Sequence, residues 1–91
     1  MTDTASVNQA VRLVLRDSVS LAKPTEELAD DSDLYELGLS SFDLISLLVA
    51  LEGRFGVEFP KEMMERGTFA SVDAITAAVQ TLTERRMAHV I

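Results

Sequence analysis

A pair of serines stands where an acidic, loop-like stretch gives way to an apolar helical pattern. Ser40 is followed three residues later by Asp43, which is the spacing of a capping box and predicts Ser40 as a helix N-cap. Ser41 then falls in the first helical turn, beside backbone N–H groups without intrahelical partners and beside the positive end of the helix dipole. A phosphodiester on the Ser41 oxygen would therefore occupy an anion site. The spacing alone also allows a plainer interpretation, in which the serines only cap the helix.

The sequence contains few groups of side chains that could act in catalysis or bind a metal. The only histidine is His89, near the C-terminus, so Ser41 has no evident general base and the chain is not predicted to be an enzyme. The absence of cysteine excludes disulfides and thiolate metal sites. Asp43 and Glu52 are nine helical positions apart and point in different directions, so no metal site is expected.

The net charge of −7 is concentrated around Ser41. No lysine or arginine lies between Pro24 and Gly53. The acidic residues of that stretch are Glu26, Glu27, Asp30, Asp31, Asp33, Glu36, Asp43 and Glu52. This charge argues against nucleic acid as a partner, because its phosphates would be repelled. The clustering predicts a basic partner surface whose complementary charge speeds encounter, and the alternative is a merely solvated face.

Length and hydropathy indicate the class of protein. Ninety-one residues suit one small domain, which we predict over 1–91 with a core at about 5–84 and a tail at each end. No apolar run reaches the ~18 residues that span a bilayer. The N-terminus lacks the basic and apolar segments of a secretory signal. We therefore expect a cytoplasmic protein that does not contact membranes.

Hydrophobic periodicity predicts three main helices, at about 5–19, 41–55 and 72–84. Gly56 is the expected end of the second helix, and Ser71 is the expected N-cap of the third. The second helix is predicted to bury one apolar stripe, formed by Leu44, Ile45, Leu47, Leu48, Leu51 and Phe55. Phe42 lies off this stripe.

The connections carry further predictions. Residues 20–39 form a long loop that should be anchored to the core by its leucines, Leu28, Leu34 and Leu37. An extended linker at 57–60 leads into one or two helical turns at 61–66, with Met63 or Met64 facing inward and Gly67 as the stop. Residues 85–91 either continue the last helix or fray.

The motif around Ser41 resembles that of the acyl carrier and peptidyl carrier protein family, which binds phosphopantetheine. In that family an acidic loop with Leu-Gly-Leu precedes Asp-Ser-Leu, and the serine carries 4′-phosphopantetheine. Gly38 and Leu39 match the glycine–leucine pair, and Ser41 matches the modified serine. Phe42 stands in the following leucine position, and Ser40 replaces the usual aspartate. The resemblance continues through 51–60 and 68–72 and covers about residues 7–82.

The resemblance implies an all-α, four-helix acyl-carrier-like bundle with three main helices, one short helix and a long first loop. It also implies an acyl or aminoacyl group held as a thioester on an arm attached to Ser41. The implied partners are a phosphopantetheinyl transferase, an acyl- or aminoacyl-loading ligase and downstream acyl-transfer enzymes, and the implied state is a monomer. The residues expected to bind partners are Phe42, Asp43, Glu36, Ser40, Met63 and Met64.

Several alternatives stay open at this level. The cargo can be an amino acid, a fatty acid or a polyketide, although the stretch 59–71 resembles small discrete carriers loaded by stand-alone ligases, some of which accept amino acids. Ser40 in the aspartate position leaves the type of transferase undecided. Phe42 is either an exposed anchor or half-buried, and the two methionines are either core filler or part of a cleft. The competing function is an unmodified helical adaptor that binds a basic partner through Phe42 and the acidic loop.

Overall fold

The computed structural model describes residues 3–88 as three helices with short 3₁₀ turns between them. The helices are α1 (Thr4–Ser18), α2 (Ser41–Phe55) and α3 (Val72–Ala88). The 3₁₀ turns span Thr25–Glu27, Lys61–Met63 and Arg66–Phe69, and no strand occurs between residues 3 and 88. The all-α prediction is therefore confirmed. The last helix continues as far as Ala88, and His89 lies outside the described residues.

Side chains at the helix ends explain the bounds of α2 and the start of α3. Ser40 Oγ accepts a hydrogen bond of 3.1 Å from Asp43 N, while Asp43 Oδ2 accepts one of 3.0 Å from Ser40 N, which completes the predicted capping box. Helix α2 ends at Gly56, whose φ of +65° is the left-handed conformation that favours glycine. Ser71 Oγ accepts a hydrogen bond of 3.0 Å from Ala74 N at the start of α3.

The core lies mainly where α1 faces the other two helices. Its helical members are Val7, Val11, Val14 and Leu15 of α1, Leu47 and Leu51 of α2, and Val72, Ile75, Val79 and Leu82 of α3. Helix α1 packs along both α2 and α3, whereas α2 and α3 touch each other at few positions. The space between α2 and α3 is therefore left to loop residues and to an open groove.

This arrangement corrects the predicted stripe of α2. Only Leu47 and Leu51 are buried, while Leu44 and Leu48 are half-buried and Ile45 is 65% exposed. The physical reason is that α2 packs mainly against α1 and only slightly against α3, so a narrower strip of its surface is covered.

The first loop is anchored as predicted. Leu28 and Leu34 are buried, and Leu37 is half-buried against the core. Arg12 of α1 reinforces this attachment, because its guanidinium donates to the carbonyl oxygens of Thr25 at 2.7 Å and Leu28 at 2.9 Å. The same guanidinium forms an ion pair with Asp30, whose carboxylate also accepts a hydrogen bond from Asn8.

Two backbone hydrogen bonds join this loop to the segment that begins α3. Leu34 N donates to Ala70 O at 2.8 Å, and Asp73 N donates to Asp30 O at 2.9 Å. The loop is thus held between α1 and α3, and its last residues deliver the chain to the start of α2 in a fixed position.

The expected short fourth helix is instead two 3₁₀ turns, Lys61–Met63 and Arg66–Phe69, with extended backbone at Glu65 between them. Gly67 lies inside the second turn and does not stop a helix, which corrects that prediction. A segment this short gains too few i→i+4 bonds to offset helix nucleation. Phe69 is buried with its ring centroid 5.5 Å from that of Phe59, which fixes the second turn against the core.

Candidate functional site around Ser41

Ser41 is exposed and is the first residue of α2. The capping box is made by Ser40 and Asp43, so the Ser41 hydroxyl takes no part in the cap. The N–H groups of Ser41 and Phe42 lie in the first turn, where no preceding helical carbonyl can accept their hydrogen bonds. The positive end of the helix dipole lies at the same place. A phosphate ester on this oxygen fits the site sterically and electrostatically.

An open groove of about 280 Å³ lies beside Ser41, between α2 and the turns that precede α3. Most of its walls are apolar, and two charged residues complete it. Its lining residues are Tyr35, Leu39, Ser41, Leu44, Ile45, Leu48, Met64, Glu65, Arg66 and Phe69. A groove of this size and lining suits a short, mostly apolar group presented from Ser41.

Tyr35 and Arg66 form one wall of this groove and are held together by two contacts. The guanidinium carbon of Arg66 lies 3.8 Å from the centroid of the Tyr35 ring, and the Tyr35 hydroxyl donates a hydrogen bond of 2.7 Å to Arg66 O. Burial raises the pKa of the Tyr35 hydroxyl above its ordinary value of 10.0, with Arg66 opposing the shift and Asp33 adding to it. The hydroxyl therefore stays protonated at neutral pH and remains a donor.

Phe42 is outside the groove and is 77% exposed. Ile45 and Val49 follow it at three and seven positions along α2 and are 65% and 64% exposed. These three residues share one helical face, which we call the α2 ladder. Exposed large apolar side chains grouped in this way are typical of an interaction surface.

The two methionines differ in their surroundings. Met64 is 48% exposed and lines the groove with Ser41, whereas Met63 is half-buried and packs against the core. Met63 therefore faces inward, as predicted for one of the two methionines, and Met64 lines the groove beside Ser41.

Several acids of the stretch 24–53 are engaged within the chain. Asp43 closes the capping box, Asp30 pairs with Arg12, and Asp33 Oδ1 accepts a hydrogen bond of 2.9 Å from Tyr35 N. Glu52 Oε2 accepts one of 2.9 Å from Phe59 N, near the C-terminal end of α2. Glu36 is exposed. The acidic segment thus contributes to local structure as well as to charge.

Sequence reasoning missed most of the groove. Leu44, Ile45 and Leu48 follow Ser41 at three, four and seven positions, so helical spacing places them on the Ser41 side of α2 and could have identified them. Tyr35 and Arg66 are 31 residues apart, and no local pattern connects them.

None of the helices between residues 3 and 88 has both the length and the apolar character that a membrane crossing requires.

Comparisons with known proteins identify the family of this chain. The profile of a family described as "Phosphopantetheine attachment site" matches residues 9–79. The aminoacyl carrier protein of Agrobacterium fabrum is 35% identical over 82 residues, which are 90% of this chain and 99% of that protein. The acyl carrier protein of Campylobacter hominis is 29% identical over 80 residues, covering 88% of this chain and 98% of that protein.

A solved structure of a carrier protein has a fold similar to that of this chain. A carrier protein from Agrobacterium tumefaciens, crystallised with ATP and an engineered glycine:[carrier protein] ligase from Bradyrhizobium japonicum, matches with a TM-score of 0.79 and 37% identity. The match covers 82% of this chain and 97% of that one. The chain therefore belongs to the family of carrier proteins that have a phosphopantetheine attachment site.

Proposed function

We propose that the Ser41 hydroxyl is the attachment point of 4′-phosphopantetheine and that the chain carries an aminoacyl group on this arm. Carrier function and the cofactor follow from family membership. The observation that supports Ser41 is the division of roles at the start of α2, where Ser40 caps the helix and the exposed Ser41 hydroxyl is left available. The arm, when bound, supplies a thiol that holds the cargo as a thioester.

The attachment step needs only the Ser41 oxygen from this chain. That oxygen forms a bond to the β-phosphorus of coenzyme A, the bond from this phosphorus to 3′,5′-ADP breaks, and the serine proton passes to a base of the transferase. The chain stabilises the resulting phosphodiester through the first-turn N–H groups and the dipole of α2. The partner that performs the step is a phosphopantetheinyl transferase, which acts on a monomer of this chain.

An aminoacyl cargo is favoured over a fatty acyl or polyketide cargo. The aminoacyl carrier relative is 35% identical over 90% of this chain, whereas the acyl carrier relatives are 29% identical over 88% of it and 36% identical over only 64% of it. The related solved structure also holds a carrier together with a glycine ligase. We infer that an amino acid:carrier protein ligase loads this chain and that downstream acyl-transfer enzymes unload it. A cytoplasmic location remains a prediction.

The α2 ladder is the surface on which these enzymes dock. Phe42 is adjacent to Ser41, so an enzyme that reaches the Ser41 oxygen also reaches the Phe42 ring. The adjacent acids, Glu36 among them, attract a basic rim on the partner and speed encounter more than they strengthen binding.

Intact mass after incubation with coenzyme A and a promiscuous transferase tests the proposal. The wild type and Ser40→Ala should each gain one phosphopantetheine, although Ser40→Ala loses the cap and should be about 1 kcal/mol less stable. Ser41→Ala keeps the cap, so it should remain folded and gain nothing. Full modification of Ser41→Ala would refute the assignment. A wild type that binds its partner normally but never accepts an arm would instead support the adaptor.

A further inference from the structure

We propose that Glu65 makes the groove beside Ser41 selective for aminoacyl cargo, by pairing its carboxylate with the ammonium group of the cargo. The inference rests on the proposed function, because the cargo reaches the groove only from an arm on Ser41.

The first observation concerns the two charged residues of the groove, Glu65 and Arg66. The Arg66 guanidinium is held over the Tyr35 ring at 3.8 Å, so its position is fixed at that wall. The Glu65 carboxylate has neither an ion pair nor a hydrogen bond with any other described side chain or backbone group. Glu65 is therefore the anionic group of the groove, and its carboxylate is available to pair with a cationic ligand.

The second observation is the charge around the groove. One side of the groove is formed by residues of the stretch 24–53, which contains acids and no lysine or arginine. These lining residues are Tyr35, Leu39, Ser41, Leu44 and Leu48. The acids of this stretch therefore contribute a negative potential at this side of the groove. The Glu65 carboxylate and the surrounding acids both favour a cation and disfavour a second carboxylate.

An aminoacyl thioester has the matching chemistry. Its carboxyl group is consumed in the thioester, so the remaining charge is the ammonium on the carbon next to the carbonyl. A group that enters the groove from Ser41 can place its side chain on the apolar walls, such as Leu48 and Phe69, and its ammonium at Glu65. An exposed ion pair of this kind changes a binding equilibrium by about two- to five-fold.

The experiment compares three cargoes of similar size and different charge on the arm of Ser41. Glycyl is cationic, propionyl is its neutral isostere, and malonyl is anionic. Each is attached by a promiscuous transferase from a coenzyme A analogue in which an amide replaces the thioester, and intact mass verifies loading. Amide chemical shifts of Leu48 and Phe69, measured against the protein with a bare arm, report the fraction of cargo in the groove. Glu65→Gln is the test variant, and Glu62→Gln is the control, since Glu62 is exposed nearby but does not line the groove.

Glu65→Gln should lower the glycyl signal about two- to five-fold, leave the propionyl signal unchanged and raise the malonyl signal, while Glu62→Gln should change none of them. The inference fails if Glu65→Gln changes the signals of all three cargoes alike or leaves the glycyl signal unaffected. It also fails if Glu62→Gln lowers the glycyl signal as much as Glu65→Gln does. It also fails if malonyl, drawn to Arg66, occupies the groove more than glycyl does in the wild type. If no arm is attached to Ser41 at all, intact mass shows that the proposed function itself is wrong.

Discussion

Truncation of Phe42 should weaken partner binding more than it lowers the free energy of unfolding. A buried phenylalanine covers about 150–250 Å², so a ring that is 77% exposed keeps about 35–60 Å² in contact with the rest of the protein. At about 25 cal/mol per Å², this contact contributes about 1–1.5 kcal/mol to folding. Phe42→Ala should therefore lower the free energy of unfolding by about that amount, well below the ~3–5 kcal/mol expected for a buried phenylalanine.

The effect on partner binding should be larger. If the exposed part of the ring is buried by the loading ligase, its loss should cost about 1–2 kcal/mol of binding, as for a typical interface anchor. The KM of the ligase for the holo carrier should then rise about five- to thirty-fold. Urea unfolding and steady-state loading kinetics, measured on the same preparations, give the two quantities separately.

Two variants serve as controls. Leu13→Ala removes another exposed apolar side chain, 45% exposed but on α1, and should leave loading unchanged. Leu47→Ala removes a fully buried side chain and should cost ~2–5 kcal/mol of stability. Leu48 is a poor comparator, because it is half-buried and lines the groove. A Phe42→Ala variant that unfolds like Leu47→Ala but loads normally would place Phe42 in the core and refute the docking assignment.

Further expectations concern single contacts. Thr76→Val should raise the free energy of unfolding by about 1 kcal/mol in urea titrations, because the buried Thr76 hydroxyl has no hydrogen-bond partner among the described residues. Arg12→Ala should cost about 2–3 kcal/mol, since it removes charged hydrogen bonds that hold the first loop. Hydrogen bonds from Asn8 and Arg12 lower the pKa of Asp30 below 3.8, so their stabilisation is complete above that pH and is lost as the pH falls through the lowered value. When the pH is lowered from neutral to below 3.8, the melting temperature should therefore fall less in Asp30→Asn than in the wild type. Glu36→Lys should slow loading at low salt and have little effect at high salt, when stopped-flow on-rates are compared.

The sequence predicted best those features that depend on neighbours along the chain. The bounds of α2 follow from Ser40 and Asp43 at one end and Gly56 at the other, and each signal acts within a single turn. Leu28 and Leu34 were predictable as anchors because a long loop needs apolar side chains to hold it.

Features that depend on how the helices diverge were not predictable in this way. The apolar residues of α2 cannot reveal that α3 packs only slightly against this helix, so helical spacing places Ile45 on the buried stripe although it is 65% exposed. Arg66 belongs to the 3₁₀ turn that the buried Phe69 fixes against the core, and Glu65 directly precedes this turn. The Tyr35 ring that Arg66 contacts comes from a distant loop, so no local pattern links these residues to the groove. Exposure of the Phe42 ring agreed with its position off the buried stripe, whereas its role in docking remains a prediction.

The separation of the cap from the acceptor has a consequence for regulation in the cell. Since Ser40 and Asp43 complete α2 without any group on Ser41, the unmodified chain already exposes the α2 ladder. Under the proposed function, unmodified chains would occupy the docking site of the loading ligase without accepting an amino acid. The ratio of unmodified to modified carrier, and not the amount of carrier alone, would then set the flux through the enzymes that it serves.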